Sequence, residues 1–276
     1  MLPVLRVGPL AIQVPGLALL AGLWIALHMI EREALRVKVD SESIIKTVSI
    51  ALVAGLIGGR LFFVAQHSQF YLQNPLGLIS FDAATFDPYG AAATAGIVAF
   101  AAGRRLKLRL RPSLDALVPG LAAMMVALAA SHLLSGNAYG SPTNLPWGIE
   151  LSGQIRHPTQ VYELLAALAV YIAWRHLSSD LHTSGVPFLH WLSMQTGAII
   201  FLEAFRGDSI VLPGGFRQGQ VIGLAVLLVC FAVAWAWKTS ETVKVQQPAG
   251  AAARRGTKVG REEKPDRDRG KGRGTR

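Results

Sequence analysis

A few charged and polar side chains stand inside otherwise apolar stretches of this chain. Arg60 interrupts "GLIGGRLFFV", His132 lies near the end of "LAAMMVALAASHLL", and two further groups lie in "RHPTQVYELL" and "FLEAFRGD". The set comprises Arg60, His132, Arg156, His157, Tyr162, Glu163, Glu203 and Arg206. A charge at the centre of a membrane helix costs about 2.5–3.5 kcal/mol, so residues of this kind indicate a functional site by default.

The types and spacing of these residues suit an anionic lipid head group. Glu203 and Arg206 are three residues apart and can pair on one helix face. A guanidinium can bind two phosphate oxygens at once, and a neighbouring carboxylate can orient it. Because charged groups avoid lipid, we expect Arg60, Glu163 and Glu203 to face one interior site. Arg60 and Arg206 are the first candidates for phosphate contact, with Glu163 and Glu203 orienting them.

Two histidines are candidates for a proton acceptor in such a site. Either His132 or His157 could take this role, and the residues alone leave the choice open. Their spacing is unlike that of a metal site and no third ligand is evident, so no metal is predicted.

Purely structural roles are the alternative for each charged residue. Arg60 could pair with Glu163 or Glu203 and lock the helices together, and Arg206 could extend towards the membrane interface. For Asp115 we favour a structural role, as an early-turn residue that suits the helix dipole.

The composition indicates a membrane protein. Hydrophobic residues make up 51% of the 276 residues and charged residues 16%, against roughly 25% charged in soluble domains. A span needs about 20 apolar residues, and seven stretches are candidates: 9–30, 45–66, 89–103, 114–135, 157–176, 186–204 and 218–237. The third is short and could be tilted or partly re-entrant. The prediction is an all-α polytopic membrane helix bundle of about seven spans over residues 1–240, then a disordered basic tail over 241–276.

The distribution of basic residues predicts the orientation. Lys and Arg are concentrated after the first and third predicted spans and in the tail, which places the tail in the cytoplasm and the amino terminus outside. Nucleic-acid binding is the weaker interpretation of the +10 net charge, because no aromatic residues are interleaved and no binding module is evident. The tail more simply suits anionic lipid head groups. The single cysteine, Cys230, excludes an intramolecular disulfide and reads as a small apolar residue.

Five motifs together resemble the prolipoprotein diacylglyceryl transferase family. They are "GLIGGRLFFV", "LDALVPGLA", "GNAYGSPTNLPWGIE", "RHPTQVYELL" and "FLEAFRGD", in the order of that family. The resemblance implies a seven-span inner-membrane enzyme without a metal or organic cofactor. It implies transfer of the diacylglyceryl group of phosphatidylglycerol to the lipobox cysteine thiol of a prolipoprotein signal peptide, with glycerol 1-phosphate as the leaving group. Lipid-binding roles would fall on Arg60, Arg156, Tyr162 and Arg206, and catalytic roles on His132, His157, Glu163 and Glu203.

The resemblance is incomplete at several polar positions. Two arginines of the family fall on Ala129 and Ile199, and a family histidine falls on Tyr89. Loss of one charge-stabilising donor typically costs about 100- to 1,000-fold in rate. His132 and Arg206 are the visible candidates to substitute for the missing groups.

Two other functions are therefore kept beside the transferase. A catalytically impaired paralogue could bind phospholipid or lipoprotein without turnover. A small transporter would be expected to show an internal repeat, and the hydropathy shows none.

Overall fold

The computed structural model describes residues 4–7, 10–73, 77, 85–151, 153–178 and 183–246. In this part of the chain the helices are α1 (Val14–Arg36), α2 (Ser41–Gln66), α3 (Ser68–Gln73), α4 (Pro88–Arg105), α5 (Leu110–Ser135), α6 (Thr159–Leu177), α7 (Val186–Glu203) and α8 (Gln218–Gln246). Two antiparallel hairpins pair β1 (Val4–Val7) with β2 (Leu10–Gln13) and β3 (Ile149–Leu151) with β4 (Gln154–Arg156). The chain is mostly helical, as predicted.

Four of the described helices are long and apolar enough to cross a membrane. They are Val14–Arg36, Ser41–Gln66, Leu110–Ser135 and Gln218–Thr239. Helices α4, α6 and α7 occupy the other three predicted positions and contain 18, 19 and 18 residues. A membrane helix bundle is therefore supported, and the total of seven spans stays a prediction.

The first helix begins later than predicted. Residues Leu10–Gln13 form strand β2, and α1 starts at Val14 with Pro15 in its first turn. Proline suits this position because its missing N–H would have no partner within the helix. At the other end α1 continues to Arg36, whose guanidinium pairs with Glu33 three residues earlier. The predicted start at residue 9 was wrong because apolar character continues through the strand.

The glycines before Arg60 are contact points between helices α2 and α4. Gly58 packs against the side chain of Thr94, and a Cβ atom at Gly59 would lie 2.9 Å from Cβ of Ala91. Small residues let two helix backbones approach closely in a membrane. The structure therefore places α4 directly against these glycines.

Asp115 joins helices α5 and α7. Its carboxylate accepts hydrogen bonds from the backbone N–H groups of Gly185 at 2.7 Å and Phe188 at 3.1 Å, and from the hydroxyl of Ser184 at 3.3 Å. The first N–H groups of a helix have no partner within the helix, so this carboxylate caps α7. Asp115 is structural, as expected, but it stabilises the start of α7 rather than of its own helix.

The chain divides into two compact units, Met1–Phe231 and Ala232–Arg276. Helix α8 is helical through Gln246, past the boundary at 241 where the sequence predicts a tail. Residues 247–276 of that predicted tail lie outside the described residues. The site described next lies within the first unit.

Candidate functional site

The connection between α5 and α6 folds against the segment that follows α7. The N–H of Ser141 donates to the carbonyl of Phe205, and the N–H of Gly207 donates to the carbonyl of Tyr139, both at 2.8 Å. A Cβ atom at Gly207 would lie only 2.7 Å from the carbonyl oxygen of Gly140, so the two backbones need glycine to cross here. This crossing brings the end of α7 beside the end of α5.

A cavity of about 150 Å³ lies next to this crossing, between α5, α6 and α7. Most of its wall is apolar, and four ionisable side chains enter it from separate elements. Its lining residues are Met125, Leu128, Ala129, His132, Glu163, Ala166, Ala167, Gln195, Ile199, Leu202, Glu203 and Arg206. Four of the eight predicted site residues therefore share one cavity.

Glu163 bridges a histidine and an arginine in this cavity. Its Oε2 lies 2.8 Å from Nδ1 of His132, and its Oε1 accepts from Nη1 of Arg206 at 3.3 Å. Nε of Arg206 also lies 3.8 Å from Oε2 of Glu203. A carboxylate can only accept, so a neutral His132 carries its proton on Nδ1 and has Nε2 left to take another. This is the arrangement of a general base held by a carboxylate.

Arg206 is fixed from several sides. Nε and Nη2 each donate to a carboxylate oxygen of Asp208 at 3.0 Å, and Arg217 donates to the backbone carbonyl of Arg206. Burial by itself lowers the pKa of the Arg206 guanidinium, but the carboxylates of Asp208, Glu163 and Glu203 outweigh burial and leave its pKa above the ordinary value. Arg206 is therefore a permanent positive charge at the cavity.

Glu203 is accommodated by a glycine at the start of α8. A Cβ atom at Gly219 would lie 2.8 Å from Cδ of Glu203, closer than such atoms normally approach. Glu203 itself is buried, with 8% of its surface exposed. Gly219 thus makes the room that a buried carboxylate needs beside the first turn of α8.

His157 and Tyr162 line a neighbouring apolar groove of about 570 Å³. The groove and the cavity share two wall residues, Ala166 and Leu202. Nε1 of Trp147 donates to the hydroxyl of Tyr162 at 2.8 Å, which ties the connection between α5 and α6 to helix α6. The groove therefore adjoins the ionisable cluster but is a separate space.

His157 packs among aromatic rings in that groove. Its ring centroid lies 5.3 Å from that of Phe205 and 6.2 Å from that of Tyr162, edge to face in both cases. Its Nδ1 is buried and has no hydrogen-bond partner among the described residues. Within the described chain His132 has a carboxylate to hold it as a base, and His157 does not.

Arg156 holds the connection between α5 and α6 together. It donates to the carbonyl of Gly140 at 3.2 Å and to the side-chain oxygen of Gln154 at 2.6 Å, and its guanidinium lies 5.1 Å from the ring centroid of Tyr139. These contacts hold Arg156, the last residue of β4, outside the wall of the cavity.

Arg60 lies apart from the cavity. Its guanidinium donates to the carbonyls of Thr85 at 3.0 Å and Gly77 at 2.7 Å, and it faces the rings of Tyr71 and Phe86. Among the described residues, no ion pair joins it to either cavity glutamate. The expected convergence on one interior site holds for the two glutamates, while Arg60 serves the connection between α2 and α4.

The sequence analysis did not identify two residues that fix Arg206. Asp208 supplies both of its closest carboxylate contacts, and Arg217 holds its backbone carbonyl. The "RGD" spacing could have indicated the first, because a carboxylate two residues on can fold back across a glycine turn. No local signal indicates Arg217, which follows eleven residues later.

Two positions where the resemblance places family arginines do face the cavity. Ala129 and Ile199 both form part of its wall. Tyr89, at the position of the family histidine, lies within electrostatic range of Glu203 and Arg206. Among the described residues, the cluster contains one arginine, Arg206, and the three carboxylates of Glu163, Glu203 and Asp208. In the described residues no group of three metal-binding side chains is found.

Known proteins resemble the chain across this whole region. The family model for prolipoprotein diacylglyceryl transferase matches residues 3–237. A phosphatidylglycerol–prolipoprotein diacylglyceryl transferase of Clostridioides difficile is 26% identical over 210 residues, covering 76% of this chain and 84% of that protein. Proteins of the same name from Cutibacterium acnes (27% identical; 80% of this chain and 79% of that protein) and Synechococcus elongatus (25%; 80% and 82%) are also similar.

The match extends over every motif that borders the cavity. It also covers three of the four helices of membrane-spanning length in full and the fourth up to residue 237, so the apolar helices and the comparison point to the same kind of multi-pass membrane protein. With most of its length matched, the chain belongs to the prolipoprotein diacylglyceryl transferase family.

Proposed function

We propose that this chain transfers the diacylglyceryl group of phosphatidylglycerol to the lipobox cysteine thiol of prolipoproteins. The observation that carries the proposal is the cavity in which Glu163 links His132 to Arg206, in a chain of this family. Its substrates would be phosphatidylglycerol and a prolipoprotein signal peptide, as the names of its relatives suggest.

The reaction needs a base for the thiol. A thiolate, rather than a thiol, attacks carbon, so a group in the cavity must accept the proton. Nε2 of His132 can accept this proton while Nδ1 stays hydrogen-bonded to the Glu163 carboxylate, 2.8 Å from Oε2. The carboxylate of Glu163 then stabilises the imidazolium that forms.

The bond changes place negative charge on the leaving phosphate. The cysteine sulfur bonds to the glycerol carbon, the bond between that carbon and the phosphate oxygen breaks, and glycerol 1-phosphate leaves with the electron pair. Arg206 is positively charged and held in place before the reaction, so it can stabilise this charge without reorganisation. We assign Arg206 to stabilising the phosphate. Glu163 holds both His132 and Arg206 in place, and Glu203 supports Arg206.

The neighbouring groove suits the apolar parts of the substrates. Its wall is aromatic and aliphatic, and it adjoins the cavity through Ala166 and Leu202. Tyr162 and His157 would contact lipid there, while Arg156 would act by holding the loop and Arg60 by holding the α2–α4 connection.

The proposed topology follows the basic residues. Seven spans would place the amino terminus outside and the carboxyl terminus in the cytoplasm of a bacterial inner-membrane protein. The cavity would then open towards the outer leaflet. The proposed domains are a transferase domain over 1–240 and a basic tail over 241–276.

Complementation tests the proposal. A host depleted of its own transferase is given this chain, and lipidated prolipoprotein is measured by mass spectrometry. Rescue is expected for the parent chain and for Glu150→Gln, a matched change on the exposed hairpin strand β3, but not for Glu163→Gln.

A binding protein without turnover is the second candidate. It is favoured by one observation, the apolar Ala129 and Ile199 in the wall where the resemblance places arginines. It predicts a stably inserted protein that binds phosphatidylglycerol in a pull-down and never rescues the depleted host. That result would reject the transferase proposal.

A further inference from the structure

A second apolar groove lies along the first half of α5, whereas the ionisable cluster lies beside the last turns of that helix. It is a groove of about 500 Å³ between the α2–α4 pair and α5. Representative wall residues are Thr47, Ala51, Gly96, Gly103, Leu117 and Leu121. None of its wall residues lines the cavity or the aromatic groove, so the proposed reaction leaves it unused.

The groove has the length of an acyl chain in one leaflet. On α5 its wall runs from Leu110 to Leu121, about 16 Å at 1.5 Å per residue. Half of a hydrocarbon core of about 30 Å is about 15 Å. A side chain at Gly96 would meet no atom within 4 Å, so the wall is open at this point and space for an occupant is present.

One end of the groove is strongly basic. Arg104 lines it and lies over the ring of Phe100, with 5.8 Å between the guanidinium carbon and the ring centroid. The segment from 104 to 111 contains no acidic residue, and its basic residues are Arg104, Arg105, Lys107, Arg109 and Arg111. An apolar groove that ends at such a segment matches a molecule with an apolar chain and an anionic head.

We infer that this groove binds an anionic phospholipid, with one acyl chain between α4 and α5 and its phosphate at Arg104. The proposed lipid is not the reacting substrate, because the groove is separate from His132 and Glu163. The inference holds whether or not the chain catalyses transfer.

Photo-crosslinking tests the inference. The full-length protein in phosphatidylcholine vesicles is given phosphatidic acid with a photoactivatable acyl chain, and labelled peptides are identified by mass spectrometry. Phosphatidic acid has no glycerol head group, which separates this lipid from the substrate. Peptides of α4 and α5 should be labelled more strongly than with the zwitterionic phosphatidylcholine probe.

Two variants address the two ends of the groove. Gly96→Leu fills the apolar part, and its matched control is Gly16→Leu, where a side chain also meets no atom within 4 Å. Arg104→Gln removes the charge and should lower the affinity about fivefold, the contribution of one basic residue near an anionic surface. Its matched control is Arg175→Gln on α6.

The outcomes divide clearly. Labelling that falls in Gly96→Leu and Arg104→Gln but not in the controls supports the site. Equal labelling by both head groups overturns it, as does labelling unchanged in Arg104→Gln. Cross-links between two copies of the chain at this groove would also overturn it, because a second protein would then be the occupant. If Gly96→Leu fails to insert, Arg104→Gln decides alone.

Discussion

Two carboxylates near opposite ends of helix α5 have different surroundings. Asp115 accepts hydrogen bonds from two backbone N–H groups and a hydroxyl, all belonging to the start of α7. Glu163 lies on α6 and contacts His132 near the other end of α5. It contacts two ionisable side chains and lines a cavity.

The difference separates structure from chemistry. Backbone donors cannot change their charge or move to a substrate, so a carboxylate they satisfy can only fix two helices. Imidazole and guanidinium groups can exchange a proton or contact an anion, and the cavity gives a substrate access to them. Both carboxylates line an open space, so it is the ionisable partners of Glu163 that make it the candidate for chemistry.

The largest effect is expected at the base. His132→Gln should lower the diacylglyceryl transfer rate by about 100- to 10,000-fold, since general-base catalysis typically contributes this much. The rate is measured with phosphatidylglycerol vesicles and a lipobox peptide. His67→Gln, at an exposed turn, is the matched control. A larger loss in His157→Gln than in His132→Gln would assign the base to the aromatic groove instead.

Removal of the fixed positive charge should have the next largest effect. Arg206→Gln is expected to lower the rate by about 100- to 1,000-fold, as for other charge-stabilising donors. The same vesicle assay measures it, with Arg175→Gln as the control on an exposed turn of α6. Wild-type rates in Arg206→Gln would mean that Arg206 only neutralises the carboxylates around it.

Adding an arginine to the cavity wall should strengthen the binding of phosphatidylglycerol. Ile199→Arg places a second guanidinium in the cavity wall, at a position where 39% of the residue is exposed and a longer side chain has room. Binding of phosphatidylglycerol should tighten by about tenfold, the value of one charge-assisted hydrogen bond. Ile210→Arg, exposed outside the cavity, is the control for lipid affinity in vesicles. Equal gains in both variants would attribute the effect to general attraction at the membrane surface.

The smallest effect on activity is expected at Asp115. Asp115→Ala should lower the free energy of unfolding by about 1–3 kcal/mol, because the N–H groups of Gly185 and Phe188 lose their acceptor. Thermal unfolding in detergent measures the change, and the folded fraction should keep its transfer rate. Asp40→Ala, an exposed cap of α2, should cost less. A lost rate with unchanged stability would contradict the structural role of Asp115.

The sequence alone determined the helical membrane bundle and much of the cluster. Long apolar stretches predict helices because lipid leaves backbone groups no other partners, and each of the seven predicted stretches overlaps a described helix. The spacing of Glu203 and Arg206 predicted their proximity, and the observed distance of 3.8 Å agrees. The order of the motifs alone indicates the family.

Only the tertiary structure decided which charges meet. The pairing of His132 with Glu163 joins residues 31 positions apart, and that of Arg206 with Glu163 joins residues 43 positions apart. The backbone crossing between the α5–α6 connection and the segment after α7 brings them together, and no local pattern contains it. Arg60 is the opposite case, a predicted site charge that does not reach the cavity. The glycines beside it pack against α4, and its guanidinium donates to carbonyls of the connection between α2 and α4. Helix formation depends on local hydrophobicity, whereas the partner of a buried charge depends on how distant segments pack.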